Sequence, residues 1–354
     1  MKINFILPGL GDSGGIQVVL KYVELLKQQG EDVIVYSSIS SPNLHRYHSP
    51  VLNIAHQIYC TIKTCNTARR DQRGIKWVWK IDDKHIRPSD ITIATMWATA
   101  FEVSKLKNSR KKAYFIQGYE IWDNEEYGRK SYELPLEHIV IAKWINDILV
   151  NQIGCKPGYL VHNGMDTNLF HPNSALREQR REDGKVQCLM LYHNLSKKGV
   201  DDGVAAYRKA KESHPELTLL MFGMPENPHI DCVDKYYQNP EKNKLVELYQ
   251  TSDIFIFPSR EEGWGLTPVE AMACGCAVAG THVGCMTEIG EDGVNCLISE
   301  PNDIDNLYSN LMRLIDNQQL RKHLGEEGRM TAEGLSWTKS CETLIDALRY
   351  ICED

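Results

Sequence analysis

No run of eighteen apolar residues occurs in the 354-residue chain, so no membrane-spanning helix is expected. No group of cysteines and histidines has zinc-ligand spacing. The 11 cysteines are scattered and odd in number, which excludes a complete intramolecular disulfide set, and Cys274-Gly-Cys276 is the closest pair. Reduced thiols in a cytoplasmic protein are the expectation. Internal repeats, low-complexity segments and nucleic-acid-binding modules are all lacking. Asp82-Asp83 and Asp201-Asp202 are carboxylate pairs, but they read as solvated turns, and no metal ligand set is expected. The chain starts Met1-Lys2 and passes through Ile-Asn-Phe-Ile-Leu to Pro8, an apolar run too short for a signal peptide. It reads as a buried first strand.

What is present is a soluble, globular composition, 42% apolar and 25% charged, in a length suited to two domains. The net charge of −7 hides an asymmetry. Residues 1–165 carry 21 Lys and Arg against 16 Asp and Glu, a net of +5, and the remainder carries 19 against 31, a net of −12. A basic first half points to an anionic partner there, such as a lipid phosphate or a membrane surface. Chance scatter of surface charge explains it equally well.

The most informative stretch runs from Pro258 to Gly275. Asp253-Ile-Phe-Ile-Phe257 has strand length and is followed by a turn holding Gly263 and Gly265. Thr267-Pro268-Val269-Glu270 then reads as an N-cap, a first-turn proline and a capping-box glutamate, and Gly275 as the stop. Glycines before a helix N-terminus leave free N–H groups and a partial positive charge, which suit a phosphate. Glu262 and Glu270 bracket seven residues beside that helix end. Carboxylates accept hydrogen bonds from hydroxyls, so phosphate and hydroxyls together describe a sugar nucleotide. Singly, each glutamate has a plainer reading, Glu270 as a cap and Glu262 as a solvated loop residue.

Earlier in the chain, strand 3–7, the glycine turn Pro8–Gly15, apolar residues at helical spacing from Ile16 to Leu26, and strand Val33–Tyr36 form a βαβ unit. The turn is not G-x-G-x-x-G. Residues 42–88 are harder to read. Trp77 and Trp79 among lysines and arginines suit either a membrane interface or a strand with one buried tryptophan. Short strands are expected at 90–94 and 112–116, the latter running into Gln117-Gly-Tyr-Glu120. Residues 174–185 read as a charged loop. Cys188–Tyr192 is a strand, followed by His193-Asn-Leu-Ser-Lys-Lys198-Gly199 and a helix from about Val200 to Glu212, and a later strand ends at Gly223. Asp303 caps a helix running to Asn317, and a last helix covers about Thr338–Cys352.

Glu262-Gly-Trp-Gly-Leu-Thr-Pro-Val-Glu270-Ala-Met-Ala-Cys-Gly275 resembles the E-x7-E signature of the retaining GT4 glycosyltransferases. The resemblance extends through Ala277-Val-Ala-Gly280, Gly284-Cys-Met-Thr-Glu288 and Gly293-Val-Asn-Cys-Leu297. The stretch Val161-His-Asn-Gly-Met-Asp166 resembles that family's hinge. The resemblance implies an α/β GT-B fold, two Rossmann-like doubly wound domains facing across a cleft. The boundaries would be 1–163 for acceptor binding, 164–336 for nucleotide-sugar binding, and a helix 337–354 crossing back to the first domain.

It also implies roles. Diphosphate would sit on amides around Leu266 and Thr267, within a donor site that includes Gly14, Gly15, Gly223, Gly263, Trp264 and Gly265. Lys198 matches the family's phosphate-gripping lysine, whereas His193 stands where an arginine is usual. Either a charged His193, its pKa raised by the diphosphate, or a neutral ring donating one hydrogen bond fits. Glu270 would take ribose hydroxyls and Glu262 those of the transferred sugar. Gln117 stands where many members have histidine, and it either bonds the sugar or holds its loop. Glu262, Lys198 and Gln117 are the candidate catalytic residues. No cofactor or metal is implied. The partners would be a nucleotide sugar, UDP-glucose first, and a saccharide or lipid-linked acceptor at an anionic membrane face. A sugar-nucleotide epimerase and a silent nucleotide-sugar-binding module are the alternatives.

Overall fold

Strand-length apolar runs alternate with helical ones along most of the chain, a pattern that builds parallel sheets covered on both faces. The computed structural model describes residues 1–9, 13–40, 47, 49–180 and 185–353. These divide into two compact units, Met1–Asn163 with Thr338–Asp354, and Gly164–Trp337.

The first unit holds β1 (Lys2–Leu7), β2 (Asp32–Ser38), β3 (Lys76–Val78), β4 (Ser89–Ala94), β5 (Ser109–Ile116), β6 (Glu137–Val140) and β7 (Tyr159–Leu160). Its helices are α1 (Gly14–Gln28), α2 (Pro50–Ala68), α3 (Trp97–Ser104), α4 (Glu125–Tyr132) and α5 (Lys143–Ile148), the last extended by a π turn over Leu149–Ile153. The strand order is β3-β2-β1-β4-β5-β6-β7, with every pairing parallel. Ile3 lies opposite both Val33 and Ile91, so the apolar run of β1 sits at the centre of the sheet. Ile3, Phe5, Ile6 and Leu7 are each at most 1% exposed.

The second unit contains α6 (Ser174–Arg180), β8 (Gln187–Leu191), α7 (Val200–Ser213), β9 (Thr218–Gly223), β10 (Lys235–Gln238), α8 (Lys242–Thr251), β11 (Ile254–Phe257), α9 (Leu266–Ala273), β12 (Ala277–Thr281), β13 (Leu297–Ser299), α10 (Ile304–Asp316) and α11 (Gln318–Glu333). Its parallel sheet runs β10-β9-β8-β11-β12-β13. Met190, Met221, Ile256 and Ala279 from the strands pack with Tyr207 of α7 and Leu307, Leu311 and Leu314 of α10. Burial of each large side chain contributes roughly 1.5–3 kcal/mol. The last helix, α12 (Trp337–Glu353), belongs mainly to the first unit, where the Tyr350 ring meets Tyr159 and Arg110 bonds the Cys352 carbonyl.

Several local expectations need correction. Residues 174–180 are helix α6, whose first turn is capped by the Asn173 side chain accepting from the Leu176 amide at 3.1 Å. Residues 181–184 of that expected loop lie outside the described residues, as do residues 10–12 of the Pro8–Gly15 turn. The strand near Trp77 and Trp79 buries Val78 instead of a tryptophan. Trp77 is half-buried, its indole N–H on Asp71 at 3.2 Å, and Trp79 is 58% exposed. Asp202 is buried, because it sits in the first turn of α7 and meets an arginine described below.

Candidate active site

Both sheets reverse strand order beside their first strand. A ligand crevice opens at such a reversal, at the carboxyl ends of the strands. In the second unit the reversal falls between β8 and β11. The loops leaving these strands are 192–199, with His193 and Lys198, and 258–265, with Glu262. Topology therefore gathers residues 64 positions apart.

The two loops are laced together. Gly199 takes a left-handed φ of 59°, and a Cβ there would collide with the Pro258 carbonyl oxygen, so only glycine lets the loops approach. The amides of Arg260 and Glu261 both donate to the Lys197 carbonyl, at 2.7 and 3.1 Å. Arg260 grips Asp202 with two bonds of 2.8 and 2.7 Å, tying the second loop to α7. At the centre, Lys198 Nζ lies 2.7 Å from Glu262 Oε1, which also accepts from the Ser259 hydroxyl at 2.9 Å. The Glu262 side chain is 9% exposed and that of Lys198 20%, so water screens this pair less than a surface one.

Helix α9 starts earlier than its sequence indicates. Gly265 is the N-cap at φ 87°, a conformation costly for other residues, and the helix begins at Leu266. Thr267 is therefore not the N-cap and forms no capping box with Glu270. Pro268 falls third, where its missing N–H still leaves no helical bond unmade. The amides of Leu266 and Thr267 are beyond reach of any carbonyl within the helix, and they carry the positive end of its dipole. Trp264 is 3% exposed, and its carbonyl accepts from the Cys285 amide at 2.5 Å. A side chain at Gly284 would strike that same carbonyl, so the Gly284-Cys285 turn supports the glycine loop from behind. Gly263 is half-buried in that loop.

Glu270 is the fifth residue of α9 and is buried. The Tyr249 hydroxyl donates to its Oε2 at 3.0 Å, and Lys242 Nζ stands 3.6 Å from Oε1. Burial raises its pKa, with Lys242 and the Tyr249 bond opposing. Both partners come from α8. His193 is bonded by its neighbour, its Nδ1 accepting from the Leu195 amide at 3.0 Å. Burial, then Lys198, hold its pKa below the ordinary value. The ring at neutral pH is thus uncharged, with its proton on Nε2. Gly223 ends β9, where a Cβ would collide with the Tyr192 carbonyl.

The first unit has its own cluster. The Gln117 amide follows β5 and lies against Gly15 at the start of α1, close enough that a Cβ on Gly15 would come within 3.3 Å of it. Gly14 is the first residue of that helix. Three positions on, Glu120 is 7% exposed. Its Oε2 accepts from the Tyr114 hydroxyl at 2.5 Å and the Trp97 amide at 2.7 Å, and its own amide donates to Tyr132 at 2.6 Å. Burial pushes its pKa up to about 7.

The structure thus brings Lys198 and Glu262 together, places the N-terminus of α9 and Glu270 on the same helix, and keeps Gln117 with Gly14 and Gly15 in the other unit. Ser259, Asp202, Arg260, Tyr249 and Glu120 also build these clusters, although sequence reasoning gave them no role. Only Glu120 had a usable signal, its place at the end of the glycine turn after β5. The others are joined by strand order, which no spacing reveals.

Residues 173–331 match the family model of glycosyl transferases group 1. A D-inositol 3-phosphate glycosyltransferase of Acidothermus cellulolyticus is 26% identical over 97% of this chain and 87% of its own length. The chain spans 28%, 37%, 54% and 52% of the length of the first four curated relatives it matches. Among solved structures, sucrose-phosphate synthase of Thermosynechococcus elongatus superposes with a TM-score of 0.75 at 18% identity, covering 99% of both chains. HepE of Anabaena in complex with UDP-glucose superposes at 0.69 and 15%, covering 99% of this chain and 100% of its own. The fold is accordingly that of the GT-B glycosyltransferases.

Proposed function

We propose that the chain is a retaining hexosyltransferase of the glycosyl transferases group 1 family, whose model its residues 173–331 match. It would move a sugar from a nucleoside diphosphate, UDP-glucose first, to a saccharide or lipid-linked saccharide acceptor. One observation carries this reading: Lys198, Glu262 and Ser259 share one carboxylate oxygen at the β8/β11 reversal, in the loop that opens α9. That HepE was solved with UDP-glucose favours the same donor here.

The arrangement supports a sequence of events. A diphosphate carries more charge than one carboxylate, so it draws the Lys198 ammonium from Glu262. Glu262 is then free to accept hydrogen bonds from the sugar's hydroxyls. The amides of Leu266 and Thr267 and the Nε2–H of His193 meet the remaining phosphate oxygens, while Glu270 takes ribose hydroxyls. As the glycosidic C–O bond breaks, charge grows on the leaving phosphate, where these donors are already fixed. The reading therefore calls for no metal or cofactor. No carboxylate stands out as a nucleophile, and the acceptor attacks from the face that the diphosphate leaves, the phosphate taking its proton. The first unit, with Gln117, would hold the acceptor. Among the described residues no helix is long and apolar enough to cross a membrane. A cytoplasmic site of action at the inner membrane surface fits a lipid-linked acceptor.

A panel of nucleotide sugars incubated with and without acceptors tests the reading. Acceptor-dependent nucleotide release, with the anomeric configuration kept, is expected. Conversion of the donor without acceptor would mean an epimerase, and binding without turnover a silent module; either outcome overturns the proposal. Calorimetric titration with UDP, GDP and dTDP identifies the base.

A further inference from the structure

Helix α2 is built inside out. Its one buried side chain is polar: Asn53, whose amide exchanges two hydrogen bonds with the Tyr47 backbone, at 2.8 and 2.7 Å. The half-buried side is mainly polar, with His56, Gln57, Thr61, Thr64 and Thr67 beside Cys60, Cys65 and Ala68. Val51, Ile54, Ala55, Ile58, Tyr59 and Ile62 follow one another at the spacing of a single helix face, and all are exposed. Val51 is 73% exposed, Ile54 55%, Ile58 56%, Tyr59 63% and Ile62 59%. An apolar stripe of this kind marks an interaction surface.

Charge identifies the occupant. No aspartate or glutamate occurs between Asp32 and Asp71, whereas exposed Lys63, Arg69 and Arg70 stand at the C-terminal end of the helix. A second copy of the face would bring these cations an apolar partner and no carboxylate. An anionic bilayer supplies both an acyl boundary and headgroup phosphates. Trp79, exposed between Lys76 and Lys80 just past the edge strand β3, belongs to the same unit and suits the headgroup level.

We propose that α2 lies in the surface of an anionic phospholipid bilayer, its Val51–Ile62 face in the acyl boundary and Lys63, Arg69 and Arg70 on the headgroups. The proposal gives the lipid-side reading above its contact surface and rests on that reading for its purpose, so lipid binding and donor binding are measured apart. The full chain is sedimented with vesicles of phosphatidylcholine alone and of phosphatidylcholine with phosphatidylglycerol, at low and high salt. It should pellet with the anionic vesicles at low salt and much less with the neutral ones. I58E together with I62E should weaken partitioning at least about 10-fold. K63E with R69E and R70E should weaken it about 100-fold, since each lost cation removes attraction to the anionic surface. Both variants should keep the wild-type circular dichroism spectrum and UDP affinity by calorimetry. Absence of wild-type pelleting with anionic vesicles overturns the proposal, as does pelleting unchanged by I58E/I62E. A wild-type dimer that I58E/I62E dissolves, without vesicle binding, also overturns it and makes the face a self-interface. Vesicle binding by a chain that ignores UDP, GDP and dTDP would leave this surface standing and remove the transferase reading.

Discussion

Two sheets with matching strand reversals carry chemically opposite loops at their carboxyl ends. In the second unit opposite charges tie the loops and the flanking helices together: Lys198 on Glu262 at 2.7 Å between the loops, Arg260 on Asp202 of α7 at 2.7 Å, and Lys242 of α8 near Glu270 of α9 at 3.6 Å. In the first unit the corresponding carboxylate, Glu120, takes its bonds from the Tyr114 hydroxyl and backbone amides, and burial leaves it half-protonated near neutrality, at about 7. Topology thus places a site without deciding its polarity. Ion pairs that a ligand's charge can rearrange suit a diphosphate, which meets them and replaces one partner. A buried carboxyl held by a hydroxyl and a backbone amide offers a charged ligand no ion pair to exchange. On the proposed reading, this difference separates a donor unit from an acceptor unit.

The sharpest way to break the comparison is to remove the cation at its centre. Lys198→Ala should lower turnover about 100- to 1,000-fold, the scale of losing one fixed donor at a charge that grows in the transition state. Fluorescence-coupled nucleotide release measures it. If turnover falls less than about 3-fold, the charged character of the second site has no bearing on the reaction.

The next effect reads out the neutral side as stability. The Glu120 pKa lies near 7 in the fold against 4.5 for the free side chain, so the folded chain binds this proton more tightly than the unfolded one. The resulting stabilisation is complete below about 4.5 and is lost as pH rises through about 7, a loss of up to about 3 kcal/mol. Glu102 on α3, which burial also pushes up to about 7, adds a loss of the same sign. Thermal melts at about pH 5 and about pH 8 should therefore differ, and Glu120→Gln should narrow the difference without abolishing it. An unchanged gap in the variant would mean that Glu120 is ionised and satisfied in the fold.

The same contrast explains what could be read beforehand. β1, β8 and β11 are continuous apolar runs, and central parallel strands need that pattern, so their places were legible. Helix α9 was legible, but its start was not, because a glycine at φ 87° opens the helix at Leu266, ahead of the threonine that looks like its cap. Helix α2 escaped notice for a related reason. Val51, Ile54, Ile58 and Ile62 recur at helical spacing, but periodicity does not say that the apolar face points outward and the mainly polar one inward. Lys198 and Glu262 could be named through a family pattern. Their contact, like that of Asp202 with Arg260, depends on β8 and β11 being neighbours, which local sequence does not encode.

The smallest effect refines the charged site. The family resemblance puts an always-charged arginine where His193 stands, and two observations argue that His193 works as a neutral donor. Its Nδ1 already accepts from the Leu195 amide, so a second proton would have to break that bond. Burial and the nearby Lys198 ammonium also oppose protonation. Donor KM should then stay level from about pH 7 to about pH 9, because the neutral ring is the form present throughout. His193→Asn, which keeps an N–H donor but not the ring geometry, should raise KM only about 5-fold, near 1 kcal/mol. The opposite result is equally readable. If wild-type KM climbs with pH and His193→Arg levels the climb, the bound diphosphate raises the histidine pKa and holds an imidazolium. The second unit would then meet its ligand with one more charge than the chain alone carries.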